Sequence, residues 1–224
     1  MKKRISEKEA YFWVSLLLML VSNRLCFQVS RLFTIGRAQH SLACSLDARI
    51  PFLPWTISIY LGCMIFWFFI YRLIAFLPRE RANRFFAANL LGKAVCFVVF
   101  VCYPTVFPYR PEVTGPGVWN WLVRFLYAID RPDDLFPSVH CFLGWICWLG
   151  VRGDRDVPFA WRASAFIMAI AVCLSTLTTR QHELADVFGG ILLSELCYAL
   201  AKSEKLRRTY GSLVDRLLSL HKSA

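Results

Sequence analysis

Charged residues are scarce in this sequence of 224 residues, and acidic residues are the scarcest. Asp, Glu, Lys and Arg make up 18% of the chain, whereas a soluble domain usually carries about 25%. The 15 acidic residues are outnumbered by 26 basic ones, which gives a formal net charge of +11. Together with a mean hydropathy of +0.48, this deficit argues against a soluble protein and favours one that lies in a bilayer.

The patterns of several functional classes are also missing. A nucleic-acid-binding protein would need a basic face on a soluble module, and none is visible. The nine cysteines show neither metal-ligand spacing nor a disulfide framework, so we interpret them as small apolar core residues. We predict neither a metal nor a cofactor. No repeat or low-complexity linker divides the chain, which predicts a single domain, 1–224. The charged start precedes an apolar segment without a cleavage site, which indicates a retained first span and not a signal peptide.

Long apolar stretches are what the sequence does contain. A helix needs about 20 apolar residues to cross a hydrocarbon core of about 30 Å. Six stretches fit, so we expect an all-α membrane protein with a bundle of six transmembrane helices. Asn23, Arg24 and Arg31 interrupt the first of these stretches. The predicted spans are 11–33, 55–77, 85–107, 136–151, 158–178 and 183–201.

Basic residues indicate how these spans are oriented. They are concentrated at both termini and in two of the predicted connections, which the positive-inside rule places in the cytoplasm. We therefore expect both termini to be cytoplasmic and the motifs described below to be extracytoplasmic. Segment 119–129 is too short to span and is predicted to lie in the membrane interface. The basic tail, 203–224, is either an amphipathic helix on the inner leaflet, with Leu213, Leu217 and Leu220 on one stripe, or a frayed solvated segment.

Two stretches carry residues suited to phosphate chemistry. His182 and Asp186 are four residues apart at a predicted helix start, so the carboxylate can orient the imidazole. Arg180 adds a planar cation suited to phosphate. The second stretch, 136–140, begins a helix whose free N–H groups favour an anion near Ser138 and His140. Arg110 is expected to complete the positive wall.

These residues predict a site for phosphoryl transfer without metal. One histidine can attack phosphorus while the other protonates the leaving oxygen. Asp130, Asp133 and Asp134 precede a predicted helix, and we interpret them as capping and turn residues and not as metal ligands. Lys93 lies inside the third span and receives no role at this stage.

In its motifs the sequence resembles the type 2 phosphatidic acid phosphatase superfamily, over residues 103–190. It is most similar to the branch that contains inositol phosphorylceramide synthases. The family motifs are Lys-x6-Arg-Pro, Pro-Ser-Gly-His and Ser-Arg-x5-His-x3-Asp. The corresponding residues here are Arg110-Pro111, Pro137-Ser138-Val139-His140, and Ser175-Thr176 followed by His182 and Asp186. The family's first lysine, its glycine and its third-motif arginine are replaced by Tyr103, Val139 and Thr176.

The resemblance implies that His182 is the nucleophile, that Asp186 orients it and that His140 is the general acid. It implies phosphate contacts from Arg110, Arg180 and Ser138. The leading hypothesis is a lipid phosphatase that hydrolyses a phosphomonoester or pyrophosphate at the extracytoplasmic face, in a bacterial inner membrane. Two alternatives stay open: a phosphotransferase that moves a phospho-headgroup to a lipid or polyol hydroxyl, and a non-catalytic membrane scaffold.

Overall fold

The computed structural model describes residues 6–107 and 110–222, and in this part of the chain every regular element longer than one bridge is helical. The charged residues before Ser6 and the pair 108–109 of the predicted first-motif segment lie outside the described residues. Two single-turn 3₁₀ segments, Asp47–Arg49 and Pro54–Thr56, precede the second long helix. The α-helices are α1 (Glu7–Thr34), α2 (Ile57–Ala75), α3 (Arg79–Cys102), α4 (Val118–Ile129), α5 (Val139–Val151), α6 (Phe159–Thr178), α7 (Leu184–Leu200) and α8 (Glu204–Lys222).

Among the described residues, four helices are long and apolar enough to cross a membrane: α1, α2 with its preceding 3₁₀ turn, α3 and α6. A fifth candidate is the pair formed by α7 and α8. Taken together, these two helices are long and apolar enough to cross a membrane, but the chain bends by 91° between them. Helix α5 has only 13 residues, which is about 20 Å of helix. The prediction of apolar membrane-spanning helices is thus confirmed for four or five segments. By length and composition, these are fewer than the six spans expected from the sequence.

Helix α3 and the third predicted span, 85–107, differ in their bounds. Helix α3 begins at Arg79, because Pro78 occupies its N-cap and the polar residues that follow continue the helix. It ends at Cys102, since Pro104 cannot continue a helix and residues 103–107 are extended or irregular. The described residues of the first-motif segment, 103–107 and 110–111, therefore lie outside the helix.

Helix α5 lies at the centre of the bundle, in contact with α2, α3, α6 and α7. Small residues allow this close packing. A Cβ atom at Gly190 of α7 would lie 2.5 Å from the Ser138 carbonyl oxygen and 3.0 Å from the Phe142 nitrogen. On the α6 side, Gly144 leaves ordinary contacts of 3.6 Å with Ala169 and Val172.

The basic tail is helical and is packed against the bundle. Tyr210 and Val214 of α8 are buried, and the Tyr210 ring stacks on Phe86 of α3 with centroids 5.9 Å apart. The frayed alternative therefore does not describe residues 204–222. Leu213 and Leu220 of the predicted leucine stripe remain exposed, so this stripe is not the face that packs on the bundle.

The candidate site lies at one end of the bundle, which we call the site end. Helices α1, α3 and α6 finish there, and α2, α5 and α7 begin there. The loop after α1 is tied down by a hydrogen bond from the Leu53 nitrogen to the Thr178 carbonyl oxygen, 2.9 Å long. At the site end, the starts of α2, α5 and α7 therefore lie close to the loop after α1 and to α4.

Candidate active site

His182 and Asp186 form the first half of the site, at the start of α7. Asp186 Oδ2 lies 3.2 Å from His182 Nδ1 and also accepts a 2.9 Å hydrogen bond from the Glu183 backbone nitrogen. His182 precedes the helix, and the carboxylate of the third helical residue reaches back to it. The contact fixes the Nδ1 side of the ring, which leaves Nε2 as the nitrogen available for chemistry.

The charge of Asp186 sets the basicity of His182. Burial alone would lower the pKa of His182, which is 8% exposed, but the hydrogen bond and the negative charge of Asp186 outweigh this and raise it above the ordinary value of 6.5. A raised pKa means a more basic imidazole, which suits a nucleophile or base.

His140 forms the second half, as the second residue of α5. Its Nδ1 lies 3.3 Å from the Tyr60 hydroxyl, and its ring stacks on Tyr60 with centroids 4.3 Å apart. The His140 and His182 ring centroids are 6.3 Å apart. Both rings line one cavity of about 200 Å³. The two imidazoles can therefore act on one small bound group from different sides.

Six charged residues line the same cavity: Arg24, Arg31, Arg131, Asp130, Asp133 and Asp134. Arg31 of α1 pairs with Asp133 at 2.6 Å, and Ser30 donates a 2.7 Å hydrogen bond to Asp134. Burial raises the pKa of Asp130 and of Asp134 above their ordinary values. In the described residues, no group of three His, Cys, Asp or Glu side chains could hold a metal ion. The aspartates thus line the cavity directly, where the sequence predicted capping and turn roles.

Arg110 lies behind the cavity wall. It donates 2.6 Å and 2.8 Å hydrogen bonds to the Asp130 carbonyl oxygen and to Gln181 Oε1. Its guanidinium lies 4.6 Å from the centre of the Tyr127 ring, and burial lowers its pKa. Gln181 lines the cavity next to His182, so Arg110 holds a wall residue in place.

Ser138 is placed as the N-cap of α5. Its hydroxyl accepts a 3.3 Å hydrogen bond from the Cys141 nitrogen, and its backbone nitrogen donates a 3.0 Å bond to the Asp186 carbonyl oxygen. The residue is fully buried and is not part of the cavity lining. It therefore joins the starts of α5 and α7, where the sequence predicted a contact with the anion.

Arg180 is not brought to the histidines. Its backbone has a positive φ of 53°, and its guanidinium donates to the carbonyl oxygens of Asp47, at 2.7 Å, and of Ile50. Asp47 in turn accepts a 2.8 Å hydrogen bond from the Leu184 nitrogen. Arg180 thus clamps the loop after α1 onto the turn that carries His182, and it lines a separate cavity of about 350 Å³.

Sequence reasoning missed the contribution of α1. Asn23, Arg24, Gln28 and Arg31 line the cavity, although the arginines were interpreted only as interruptions of a weak span. The available signal was that the polar residues 24, 28 and 31 recur every three to four positions in an apolar helix. Such spacing gives the helix a polar face, and a polar face inside a span marks a functional cavity. Tyr60 carried no comparable signal.

Comparison with known proteins adds no relative to this picture. No family model matches the chain, and neither a curated protein nor a solved structure matches it significantly.

Proposed function

We propose that the protein is a membrane enzyme that transfers phosphoryl groups from a lipid phosphate through a phosphohistidine at His182. The observation that carries the proposal is the pair of imidazoles, 6.3 Å apart, that line one cavity while Asp186 holds one of them. A histidine fixed by a carboxylate and faced by a second histidine is suited to nucleophilic attack with general acid assistance.

In the first step, Nε2 of His182 attacks phosphorus and the bond from phosphorus to the leaving oxygen breaks. The negative charge of the bound phosphate favours the protonated form of His140, which gives its proton to that oxygen. In the second step, a water molecule gives a proton to His140 and attacks phosphorus, the phosphorus–nitrogen bond breaks and phosphate leaves. Asp186 stabilises the positive charge that develops on His182.

Arginines are proposed to stabilise the negative charge on the phosphoryl oxygens. Arg24 and Arg131 line the cavity, and no ion pair to either is found within 6–107 and 110–222. Arg31 also lines the cavity, but its guanidinium is already paired with Asp133. These cations take the place that the family resemblance assigned to Arg180 and to the missing motif residues.

We further propose a six-span arrangement in which α5 and α7 complete the bundle as short spans, in a bacterial inner membrane. The site end is then extracytoplasmic and both termini are cytoplasmic. The support is the charge at the opposite end, where the short connections and the helix starts next to them carry Arg79, Arg81, Arg84, Arg152, Arg155 and Arg162.

A second candidate, a phosphotransferase, is favoured by the carboxylates in the cavity. Asp130, Asp133 and Asp134 offset the positive charge of the three arginines in the lining, which favours a singly charged phosphodiester over a doubly charged phosphomonoester. Carboxylates also accept hydrogen bonds from hydroxyl groups. Gln28 and Gln181 add neutral hydrogen-bonding groups to the same lining. These features suit a singly charged phosphodiester whose headgroup is a polyol, with a lipid hydroxyl in place of water.

The test is phosphate release by purified wild type and His182→Ala in detergent with a chelator. The panel contains phosphatidic acid, phosphatidylglycerol phosphate, polyprenyl pyrophosphate and phosphatidylinositol, each with and without a lipid acceptor. His40→Ala is the matched control, because His40 stacks on Tyr103 and does not line the cavity.

Release lost only in His182→Ala supports the phosphatase. A new phospholipid that forms only with acceptor and with His182 supports the transferase. Turnover that survives His182→Ala refutes the phosphohistidine mechanism, and silence of wild type with every substrate favours the scaffold alternative.

A further inference from the structure

Another cavity, of about 240 Å³, lies next to the catalytic cavity, between α1 and α2. We call it the groove. Its lining is mostly apolar and comes from α1, α2 and α5, with Lys93 of α3. The apolar lining residues are Leu16, Met19, Leu20, Met64, Trp67, Phe68, Tyr71 and Leu143.

The groove adjoins the catalytic cavity. Asn23 lines both, and Trp67 of the groove lies 5.9 Å from the His140 ring, centroid to centroid. Along α1 the lining changes in order: Gln28 and Arg24 belong to the catalytic cavity, Asn23 to both and Leu20 to the groove. A polar cavity that passes into an apolar one along a single helix matches a headgroup followed by a hydrocarbon chain.

The groove also opens towards the surface of the bundle. Leu20 and Met64, on facing helices, are 58% and 56% exposed. Because α1 and α2 both qualify as membrane spans, this opening faces the hydrocarbon of the bilayer in the proposed arrangement. A lipid chain can therefore enter sideways without crossing water.

Two polar groups line the groove, Lys93 and Asn23, and Asn23 also lines the catalytic cavity. Lys93 is 3% exposed, and its ammonium donates a 2.7 Å hydrogen bond to the Met19 carbonyl oxygen. No carboxylate pairs with it in the described part of the chain, and an ammonium has three donors. Asn23 has a buried side-chain oxygen without a partner among the described residues, and its amide is a donor. A charged group this deep in a span marks a functional position.

We propose that the groove binds one hydrocarbon chain of the substrate lipid, which enters from the bilayer between α1 and α2. The ester or amide carbonyl that joins chain and headgroup accepts hydrogen bonds from Asn23 and Lys93, and the phosphate reaches the histidines. The proposal rests on the proposed function and specifies its substrate as a lipid that offers a single chain to the protein.

The first test fills the opening of the groove with Leu20→Trp and, separately, Met64→Trp. Leu17→Trp and Ile65→Trp are the matched controls, because these residues lie on the same helices, are 61% and 67% exposed and do not line the groove. The measured quantity is kcat/KM for long-chain phosphatidic acid divided by kcat/KM for p-nitrophenyl phosphate, which has no chain. The ratio should fall roughly tenfold or more in the groove variants and stay at the wild-type value in the controls. Equal ratios in all four variants overturn the proposal.

The second test separates binding from turnover. Phosphatidic acid with a photoreactive diazirine in one chain is crosslinked to His182→Ala, and the labelled residues are mapped. Labelling concentrated on groove residues and displaced by unlabelled lipid supports the groove, even if wild type releases no phosphate and the proposed function fails. Labelling spread evenly over the lipid-facing residues, Leu17 and Ile65 included, overturns it.

A third experiment tests the proposed contact between Lys93 and the lipid carbonyl. Lys93→Met should lower crosslinking of the ester-linked lipid and leave that of its ether-linked analogue unchanged, since the ether has no carbonyl. Equal loss for both lipids refutes the carbonyl contact.

Discussion

Gly190→Ala should displace the start of α5 and thereby damage the site from a residue that does not touch substrate. The new Cβ atom would lie 2.5 Å from the Ser138 carbonyl oxygen, which accepts the first helical hydrogen bond of α5 from the Phe142 nitrogen. Backbone atoms cannot rotate away, so α5 must move by about 1 Å to restore an ordinary contact of 3.4 Å.

The energetic cost follows from overpacking, which destabilises a core by about 1–3 kcal/mol. Gly144→Ala is the matched control, because it is also a glycine inside a central helix but has 3.6 Å to its neighbours. Both variants gain the same helix propensity, about 1 kcal/mol, and this gain cancels in the comparison. Gly190→Ala should therefore unfold about 2–12 °C below Gly144→Ala, at about 2–4 °C per kcal/mol for a chain of this size.

The catalytic consequence is larger than the loss of stability. His140 lies between the two backbone groups that must move, and a misplacement of about 1 Å can cost about 100-fold in rate. The assays are thermal unfolding in detergent and turnover of the substrate identified by the phosphate-release panel. If Gly190→Ala matches Gly144→Ala in both, the close contact between α5 and α7 does not position the site and the reasoning is refuted.

Three further substitutions test the turn that carries His182. Asp186→Asn should reduce turnover by roughly 10³–10⁴-fold and move the acidic limb of the kcat/KM profile to lower pH, because the raised pKa of His182 depends on that carboxylate; a limb that stays in place contradicts this. Arg180→Ala should destabilise the fold by about 2 kcal/mol in thermal unfolding, through the lost bonds to Asp47; unchanged stability with a raised KM would instead support the phosphate contact expected from the sequence. Glu183→Gln should remove a pH dependence of stability, since burial raises the pKa of Glu183 from 4.5 to about 7. Wild type should lose more stability than the glutamine variant between pH 5 and pH 8 in thermal scans, and equal losses in the two proteins would contradict this.

The contact between His182 and Asp186 could be predicted because it depends only on local sequence. His182 and Asp186 are close in sequence, so one turn of chain is enough to bring them together, and the structure has that contact. The relation between His140 and His182 joins two distant segments, so it was expected from the residue types and the assumed bundling of the spans, and the family resemblance agreed with it. The structure places the two rings on one cavity.

The direction of Arg180 could not be predicted from its position two residues before His182. A positive φ at Arg180 turns the chain, so that its side chain meets the loop after α1 while His182 faces the cavity. Which way a side chain points after such a turn depends on carbonyl oxygens more than 100 residues earlier. Spacing alone carries no information about such partners.

The predicted spans and the observed helices differ where apolar composition and helix propensity disagree. The prediction began the third span at 85 because the preceding residues are charged, but arginine and glutamate are good helix formers, and α3 starts at Arg79. Short apolar segments such as α5 cannot be assigned as spans by length, since burial among other helices also explains their composition.

The ion pair between Arg31 and Asp133 also constrains how the protein is made. The two residues are 102 positions apart, so at a synthesis rate of 5–20 residues per second the first helix waits about 5–20 s for its partner. During that interval Arg31, in the last turn of α1, has no Asp133 to pair with. Arg24 lies nearer the middle of α1, where an arginine costs about 2.5–3.5 kcal/mol on insertion. We therefore expect α1 to be a poor membrane anchor on its own, retained at the translocation machinery until the segment around residue 133 emerges.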